Sequence, residues 1–253
     1  MIQAMKLGRA MLVVAKPSRS MCSSTNLGSI QKEFSVQSDW FEDNWNARSG
    51  TPSKEIMQWV MSVMDIENRE KEKVLDVAAG TCIFARSLAQ SGAGSVIALD
   101  ATLEMLKKGE AAAKKEGITN LKCVEGDALH LPFEDSSFDM VACRLCLHHF
   151  PDPLLCVQEM TRVVKSGGVV CIVDLTSSED KASADEMNRL ENLRDPTHTY
   201  ALSKSSLLDM MLTANLKPEV QAPEDLPTLP VLMDLQAWMQ VCTHFCRCIA
   251  VCK

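Results

Sequence analysis

Val74-Leu75-Asp76-Val77-Ala78-Ala79-Gly80-Thr81 is a short apolar run that breaks into small residues. Such a run is a strand that enters a tight turn and then a helix. A second apolar run, Val96 to Asp100, also ends on a carboxylate. An acid about 20 residues past the turn glycine usually grips a ribose in folds of this kind. The pair therefore predicts a pocket for a nucleoside-containing cofactor.

From Val74 onward strands and helices alternate. Strands are expected at 74–78, 96–100, 121–124, 138–143 and 169–175, the last after the turn Ser166-Gly167-Gly168. Helices are expected at 82–90, at 102–116 with Gly117 as its stop, at 153–164 capped by Asp152, and at 203–214 with Asn215 beyond it. Val169-Val170-Cys171-Ile172-Val173 is apolar throughout, the pattern of a strand buried on both faces. The expected fold is α/β: a doubly wound, mainly parallel sheet with helices on both faces.

In such a sheet the ligand lies outside the carboxyl ends of the strands. Asp76 to Thr81, Asp100, Asp127 and Arg144 all fall at that edge. Asp100 can accept from vicinal hydroxyls, and Asp127, after Gly126, from an exocyclic amino group. The alternative for Asp76 is a carboxylate that only caps the first helix or ties down its loop. The turn lacks both G-x-G-x-x-G and a Walker lysine, which disfavours dinucleotides and triphosphates and favours a nucleoside without phosphates.

The 253 residues suit one catalytic-size α/β domain with appendages. A net charge of -7 and a pI near 5.3 exclude a protein that holds nucleic acid by neutralising phosphates. No apolar run is long enough to span a bilayer. The eleven cysteines are expected to be reduced, because Cys123, Cys143 and Cys171 fall within strands, where a thiol packs as a small apolar group. The first 32 residues carry Lys6, Arg9, Lys16, Arg19 and Lys32, several serines and no acid. That is the composition of a mitochondrial or plastid transit peptide over residues 1–26, the alternative being an unaddressed tail on a cytoplasmic protein.

Residues 27–73 form an expected helical lid region. Trp40, Phe41 and Trp45 cluster there, either over the substrate or against the sheet edge. Thr51-Pro52 starts a helix ending near Asp65 whose apolar face is Ile56, Trp59, Val60 and Val63, and a charged linker follows. The later helix at 203–214 is expected to turn Leu207, Leu208, Met211 and Leu212 inward. Beyond Lys217 the prolines 218, 223, 227 and 230 leave only a helix at 233–239 and a terminal segment, 246–252, that reads as an edge strand or a frayed tail.

The ordered series Val74 to Thr81, Ala98-Leu99-Asp100, Gly126-Asp127-Ala128, Leu131-Pro132-Phe133, Ser137-Phe138-Asp139, His148-His149-Phe150 and Arg162 to Gly168 resembles class I S-adenosylmethionine-dependent methyltransferases with a type 11 domain. It is most similar to the small-molecule branch that includes ubiquinone and menaquinone biosynthesis methyltransferases. The resemblance covers about residues 70–216 and implies a Rossmann-like core domain over 74–216, S-adenosyl-L-methionine as cofactor, and a small organic methyl acceptor. It implies that Asp76, Ala78, Gly80 and Thr81 line the methionine side and that Asp100, with Ala101, binds the ribose. Thr102 and Met105 would flank the adenine, with Gly126, Asp127 and Ala128 on its edge and Arg144 near the sulfonium.

Three departures stand out. Cys82 takes the place of a second glycine, Ser166 that of a proline, and Asp174-Leu175-Thr176 that of the quinone enzymes' Glu-x-Ser. The family closes its sheet with an antiparallel hairpin, so residues 217–253 read as shortened or diverged. Cys242, His244, Cys246, Cys248 and Cys252 match no zinc spacing, and no metal site is expected.

If the acceptor must lose a proton, His148 or His149 is the candidate base, the alternative being that the pair packs its turn. Glu191 to His198 also resembles a stretch in methyltransferases of this branch and reads either as a substrate contact or as an Asp-Pro turn with a solvent-facing histidine. Two further functions stay open: a catalytically silent cofactor binder, and a nicotinamide-dependent oxidoreductase, which the missing glycine fingerprint disfavours.

Overall fold

The computed structural model describes residues 27–36, 51–220 and 247–252. The leader, the Trp40 to Trp45 cluster, the prolines from 223 onward, the helix expected at 233–239, and Cys242, His244 and Cys246 lie outside the described residues. None of the described helices is long and apolar enough to cross a membrane.

Five parallel strands form the centre: β1 (Lys73–Val77), β2 (Ser95–Asp100), β3 (Leu121–Glu125), β4 (Phe138–Arg144) and β5 (Val164–Asp174). Two antiparallel strands, β6 (Lys217–Val220) and β7 (Arg247–Cys252), complete the order β3-β2-β1-β4-β5-β7-β6. The chain winds outward from β1 through β2 to β3 and then restarts on the other side at β4. The switch point between β1 and β4 is where such sheets bind ligands.

Strand residues alternate between two cores. Leu75, Val77, Val141 and Ile172 pack under α5 (Pro153–Val163) and α7 (Lys204–Thr213), against Val157, Met160, Leu207 and Met211. On the other face Val74, Val96, Ala98 and Met140 meet Met57, Val60 and Met61 of α2 (Thr51–Val63) and Met64 just beyond it. Phe84, Ala85 and Leu88 of α3 (Ile83–Gln90) join that second core, as does Leu106 of α4 (Leu103–Lys115). Covering both faces is what makes the strands apolar throughout. Helix α4 starts at Thr102 and stops where Gly117 turns left-handed at φ 73°, with Lys114 and Lys115 in its last turn.

Several expectations change. Among the described side chains of α2, Met57, Val60 and Met61 are buried, as is Met64 just after it; of the expected face Val60 is buried, Trp59 and Val63 are half-buried, and the Ile56 side chain lies outside the described residues. Strand β5 begins at Val164, and the Ser166-Gly167-Gly168 turn is an irregularity inside it, where pairing jumps from Phe138 with Val164 to Met140 with Val169. In α7 the inward residues are Leu207, Met210 and Met211, while Leu212 is exposed. Asn215 is left-handed, as its cap role requires.

An unexpected helix, α6 (Lys181–Arg194), fills the segment after β5. Its buried residues are Ala184, Asn188 and Glu191, so its inner face is polar and hides the helical period from a hydrophobicity reading. Pro218 sits in β6, the outermost strand, where its missing N–H is tolerated. The 247–252 segment is not an edge: β7 lies between β5 and β6, and Cys248 and Cys252 fall on it. An antiparallel closure of the sheet is therefore present.

Candidate functional site

The loop after β1 is built from alternating left-handed residues: Ala78 at φ 55°, Gly80 at φ 54° and Cys82 at φ 59°. Gly80 is at home there, but each of the other two carries about 1–2 kcal/mol of local strain. The loop is tied down from the next strand. The Gly80 N–H donates to Asp100 Oδ2 at 2.7 Å and the Thr102 N–H to Asp100 Oδ1 at 2.8 Å. Ala79 N–H also donates to the Leu99 carbonyl at 2.9 Å. Asp100 thus holds the turn in shape while each carboxylate oxygen keeps a second acceptor site. Burial raises its pKa, against these hydrogen bonds.

Cys82 resolves its departure from glycine by seating its sulfur in a notch of α4. A Cβ built on Gly109 would stand 2.5 Å from Cys82 Sγ and 2.7 Å from the Thr81 carbonyl oxygen, so only glycine fits. Cys123 of β3 lies 3.6 Å from the same sulfur.

Above this loop opens a cavity of about 910 Å³ at the carboxyl ends of β1, β2 and β4. That volume lies within the range of small-molecule and cofactor sites, roughly 300–1,000 Å³. Asp76, Ala78, Gly80 and Thr81 line it on the β1 side, and Asp100, Ala101, Thr102 and Met105 on the β2 side. Gly126, Asp127 and Ala128 follow β3, and Arg144 closes β4. All twelve expected cofactor residues therefore meet in one cavity.

Asp76 is 1% exposed, and its Oδ2 has no hydrogen-bond partner among the described residues. Burial pushes its pKa up from 3.8 to about 8, against the Arg144 charge and the Ala85 backbone amide. The helix-capping reading is thus half right: Ala85 lies in the first turn of α3, and the other oxygen is left over. Asp127 is partly engaged: Oδ1 accepts from the Leu129 N–H at 2.9 Å, and Oδ2 lies 3.1 Å from His130 Nδ1.

The two histidines separate. His148 does not line the cavity; its Nδ1 is 2.5 Å from Asp174 Oδ1, and that carboxylate also accepts from the Leu147 and Leu175 amides at 2.6 Å. His149 does line the cavity, with its ring edge-on to Phe34 at 5.2 Å. Burial first, and His148 second, lower its pKa to about 3, with Asp195 opposing them. The ring is neutral, the form that accepts a proton.

Part of the wall comes from the region expected as a helical lid, though the sequence reading named none of its lining residues. A helix over residues 27–36, α1, covers the opening with Leu27, Ile30 and Phe34, whose spacing of three and four is a helical signal. Gln31 anchors it through a 2.7 Å hydrogen bond to the Ala101 carbonyl. Leu145, Phe150 and Leu155 complete an apolar end. Segment 195–200 does not line the cavity but is laced behind it: Thr199 N–H and Oγ1 both reach the His148 carbonyl at 2.8 Å. His198 is buried, 2.7 Å from Asn188 Oδ1, which overturns the solvent-facing reading.

Residues 75–172 match the methyltransferase domain family. The uncharacterized methyltransferase YcgJ of Bacillus subtilis is 35% identical over 155 residues, 61% of this chain and 60% of YcgJ. A demethylmenaquinone methyltransferase of Bacillus pumilus is 37% identical over 129 residues, 50% of this chain and 55% of that enzyme. The chain thus spans little more than half the length of these curated relatives. In three dimensions the YcgJ crystal structure superposes with a TM-score of 0.67 at 24% identity, covering 77% of this chain and 97% of YcgJ. An S-adenosylmethionine-dependent methyltransferase of Aquifex aeolicus gives 0.57 at 18% identity, covering 86% and 96%. The strand order and the matched family agree: residues 75–172 form a methyltransferase domain on the fold of class I S-adenosylmethionine-dependent methyltransferases.

Proposed function

We propose that this protein transfers a methyl group from S-adenosylmethionine to a small organic acceptor held at the α1 end of the cavity. The observation that carries the reading is the buried, unpartnered Oδ2 of Asp76 at the cavity wall. A carboxyl group in that position is stabilised by a cation, and the methionyl end of the cofactor carries two, its ammonium and its sulfonium. When bound, the cofactor supplies an electrophilic methyl group.

The chain's residues divide the remaining work. Asp76 would hold the ammonium, and Asp100 would use its free acceptor sites on the ribose hydroxyls while keeping Gly80 in place. Thr102, Met105, Asp127 and Ala128 would surround the adenine. Leu27, Ile30, Phe34, Phe150 and Leu155 would exclude water and orient an acceptor with an apolar body. Positioning of this kind supplies most of the acceleration of an in-line transfer. His149, rather than His148, would take the acceptor's proton, because it faces the cavity and its partner is held by Asp174.

Calorimetric titration with S-adenosylhomocysteine tests the donor half, and absence of binding would sink the reading. A labelled-methyl assay with low-molecular-mass cell extract tests turnover, with Asp100→Ala as control. Binding without label transfer would make the protein a silent binder.

A further inference from the structure

The segment Asp195-Pro196-Thr197-His198 lies outside the cavity, yet it touches His149, which lines it. Thr197 Oγ1 is 2.6 Å from Asp195 Oδ1 and 3.0 Å from His149 Nδ1. The Thr197 N–H also donates to Asp195 Oδ1, at 2.9 Å, so the short turn is closed on itself. All three side chains are buried, with Asp195 at 8%, Thr197 at 7% and His149 at 9% exposure.

The direction of these bonds follows from the proton count. A carboxylate oxygen only accepts, so the single hydroxyl proton of Thr197 goes to Asp195. The hydroxyl oxygen is then an acceptor, and His149 Nδ1 must carry the ring proton that it receives. In a neutral imidazole this leaves the lone pair on Nε2, which has no hydrogen bond among the described residues. Nδ1 is engaged by Thr197, which leaves Nε2 as the ring nitrogen without a hydrogen bond among the described residues.

We propose that Asp195 and Thr197 are positioning residues that fix His149 in the Nδ1–H tautomer, so that Nε2 receives the proton of the methyl acceptor. The proposal rests on the methyl-transfer reading above. His149 Nε2 takes the proton from the acceptor's O–H, N–H or ring C–H as the bond to the methyl carbon forms and the carbon–sulfur bond breaks, its electron pair staying on sulfur. The ring becomes an imidazolium whose Nδ1–H still points to Thr197, and the Asp195 carboxylate beyond it faces the new charge.

The surroundings act in both directions, with the balance on the neutral ring. His148, packed 4.2 Å from the His149 ring, and burial both oppose a charged His149; Asp195 and Asp174 favour it. His198, 5.5 Å from the His148 ring, is held neutral with its pKa lowered to about 4, first by burial and then by His148. Burial raises the Asp195 carboxyl, but the hydrogen bonds from the Thr197 hydroxyl and amide bring it below the ordinary carboxylate range, so it stays ionised. Removing the hydroxyl of Thr197 would leave Asp195 facing His149 with no donor between them.

The test reads the tautomer directly, by long-range proton–nitrogen correlation on imidazole-labelled full-length protein. Wild type is expected to show Nδ1 protonated and Nε2 bare. Thr197→Val, which keeps the side-chain shape, is expected to shift His149 toward the Nε2–H form, and Thr197→Ser to restore the wild-type spectrum. A wild-type ring protonated on Nε2, or a tautomer unchanged in Thr197→Val, overturns the proposal.

Turnover with labelled donor and cell extract gives the second arm. General-base catalysis is worth about 10²- to 10⁴-fold. Thr197→Val and Asp195→Asn are expected to lose at least about tenfold near neutral pH and to recover toward alkaline pH, where the acceptor ionises unaided. A loss independent of pH, with the tautomer intact, would mark a merely structural role and count against the proposal. Binding of S-adenosylhomocysteine reports separately on the donor reading: if wild type fails to bind it, that reading falls, while the spectrum still decides the tautomer.

Discussion

Cys82 and Gly109 are shaped to each other: the thiol occupies the place where any side chain on Gly109 would begin, 2.5 Å from the sulfur. The contact braces a left-handed cysteine in the turn that lines the cavity.

Gly109→Ala is therefore expected to destabilise the protein by about 1–3 kcal/mol, the usual cost of overpacking, and to weaken S-adenosylhomocysteine binding. Urea denaturation and calorimetry measure the two effects. Adding Cys82→Gly should recover part of the loss, because it removes the sulfur, but the Thr81 carbonyl at 2.7 Å still resists the new methyl group.

Asp76 predicts a pH signature. Its folded pKa of about 8 lies above the 3.8 of an unhindered carboxyl. The folded state then holds a proton that the unfolded chain has released. The site's contribution to stability is full below about pH 4 and is lost as pH rises toward 8. Asp76→Asn should flatten that slope in the cofactor-free protein. A bound ammonium favours the ionised carboxylate, so cofactor binding near neutral pH should release a proton in wild type and none in Asp76→Asn. Calorimetry in buffers of different ionisation enthalpy detects it.

Asp174 predicts the opposite sign. Burial alone would raise its carboxyl, but the His148 charge and hydrogen bond and the Leu175 and Leu147 amides hold it below the ordinary range. Its contribution is present above the unfolded pKa and is lost as pH falls through the folded one. Asp174→Ala leaves a buried ring and two amides without their acceptor and should cost roughly 3–5 kcal/mol in denaturant unfolding. Its acid-unfolding curve should be shallower than wild type's.

Phe34 separates acceptor from donor. Its ring stands edge-on to His149, a contact worth about 0.5–1.5 kcal/mol. Phe34→Ala should raise the acceptor KM by about 2- to 10-fold, with a smaller effect on S-adenosylhomocysteine affinity. An equal loss of both would place Phe34 in the donor pocket instead.

The strands were legible because each apolar run between Val74 and Asp174 is local, the first breaking into small residues after Asp76-Val77 and the second ending on Asp100. Element ends moved by a residue or two, except at β5, where a turn-like Ser166-Gly167-Gly168 lies within the strand. Helix α6 was illegible for a different reason: its buried Asn188 and Glu191 look like solvent-facing residues until their partners are known. Asn188 bonds the Ala184 and Ala201 carbonyls and the His198 ring, and Glu191 pairs with Arg194.

The sequence by itself determined the parallel core, the loop that breaks after Asp76, and the order of Asp76, Asp100 and Asp127 along the strand ends, since all of these rest on short-range pattern. Tertiary structure alone decided which of two adjacent histidines meets the cavity. Asp174, 26 residues from His148, takes one ring, and Thr197, 48 residues from His149, orients the other. A hydrogen bond between groups so distant in the chain has no local signature. It exists only once the sheet has brought the end of β5 and the turn after α6 to the same edge.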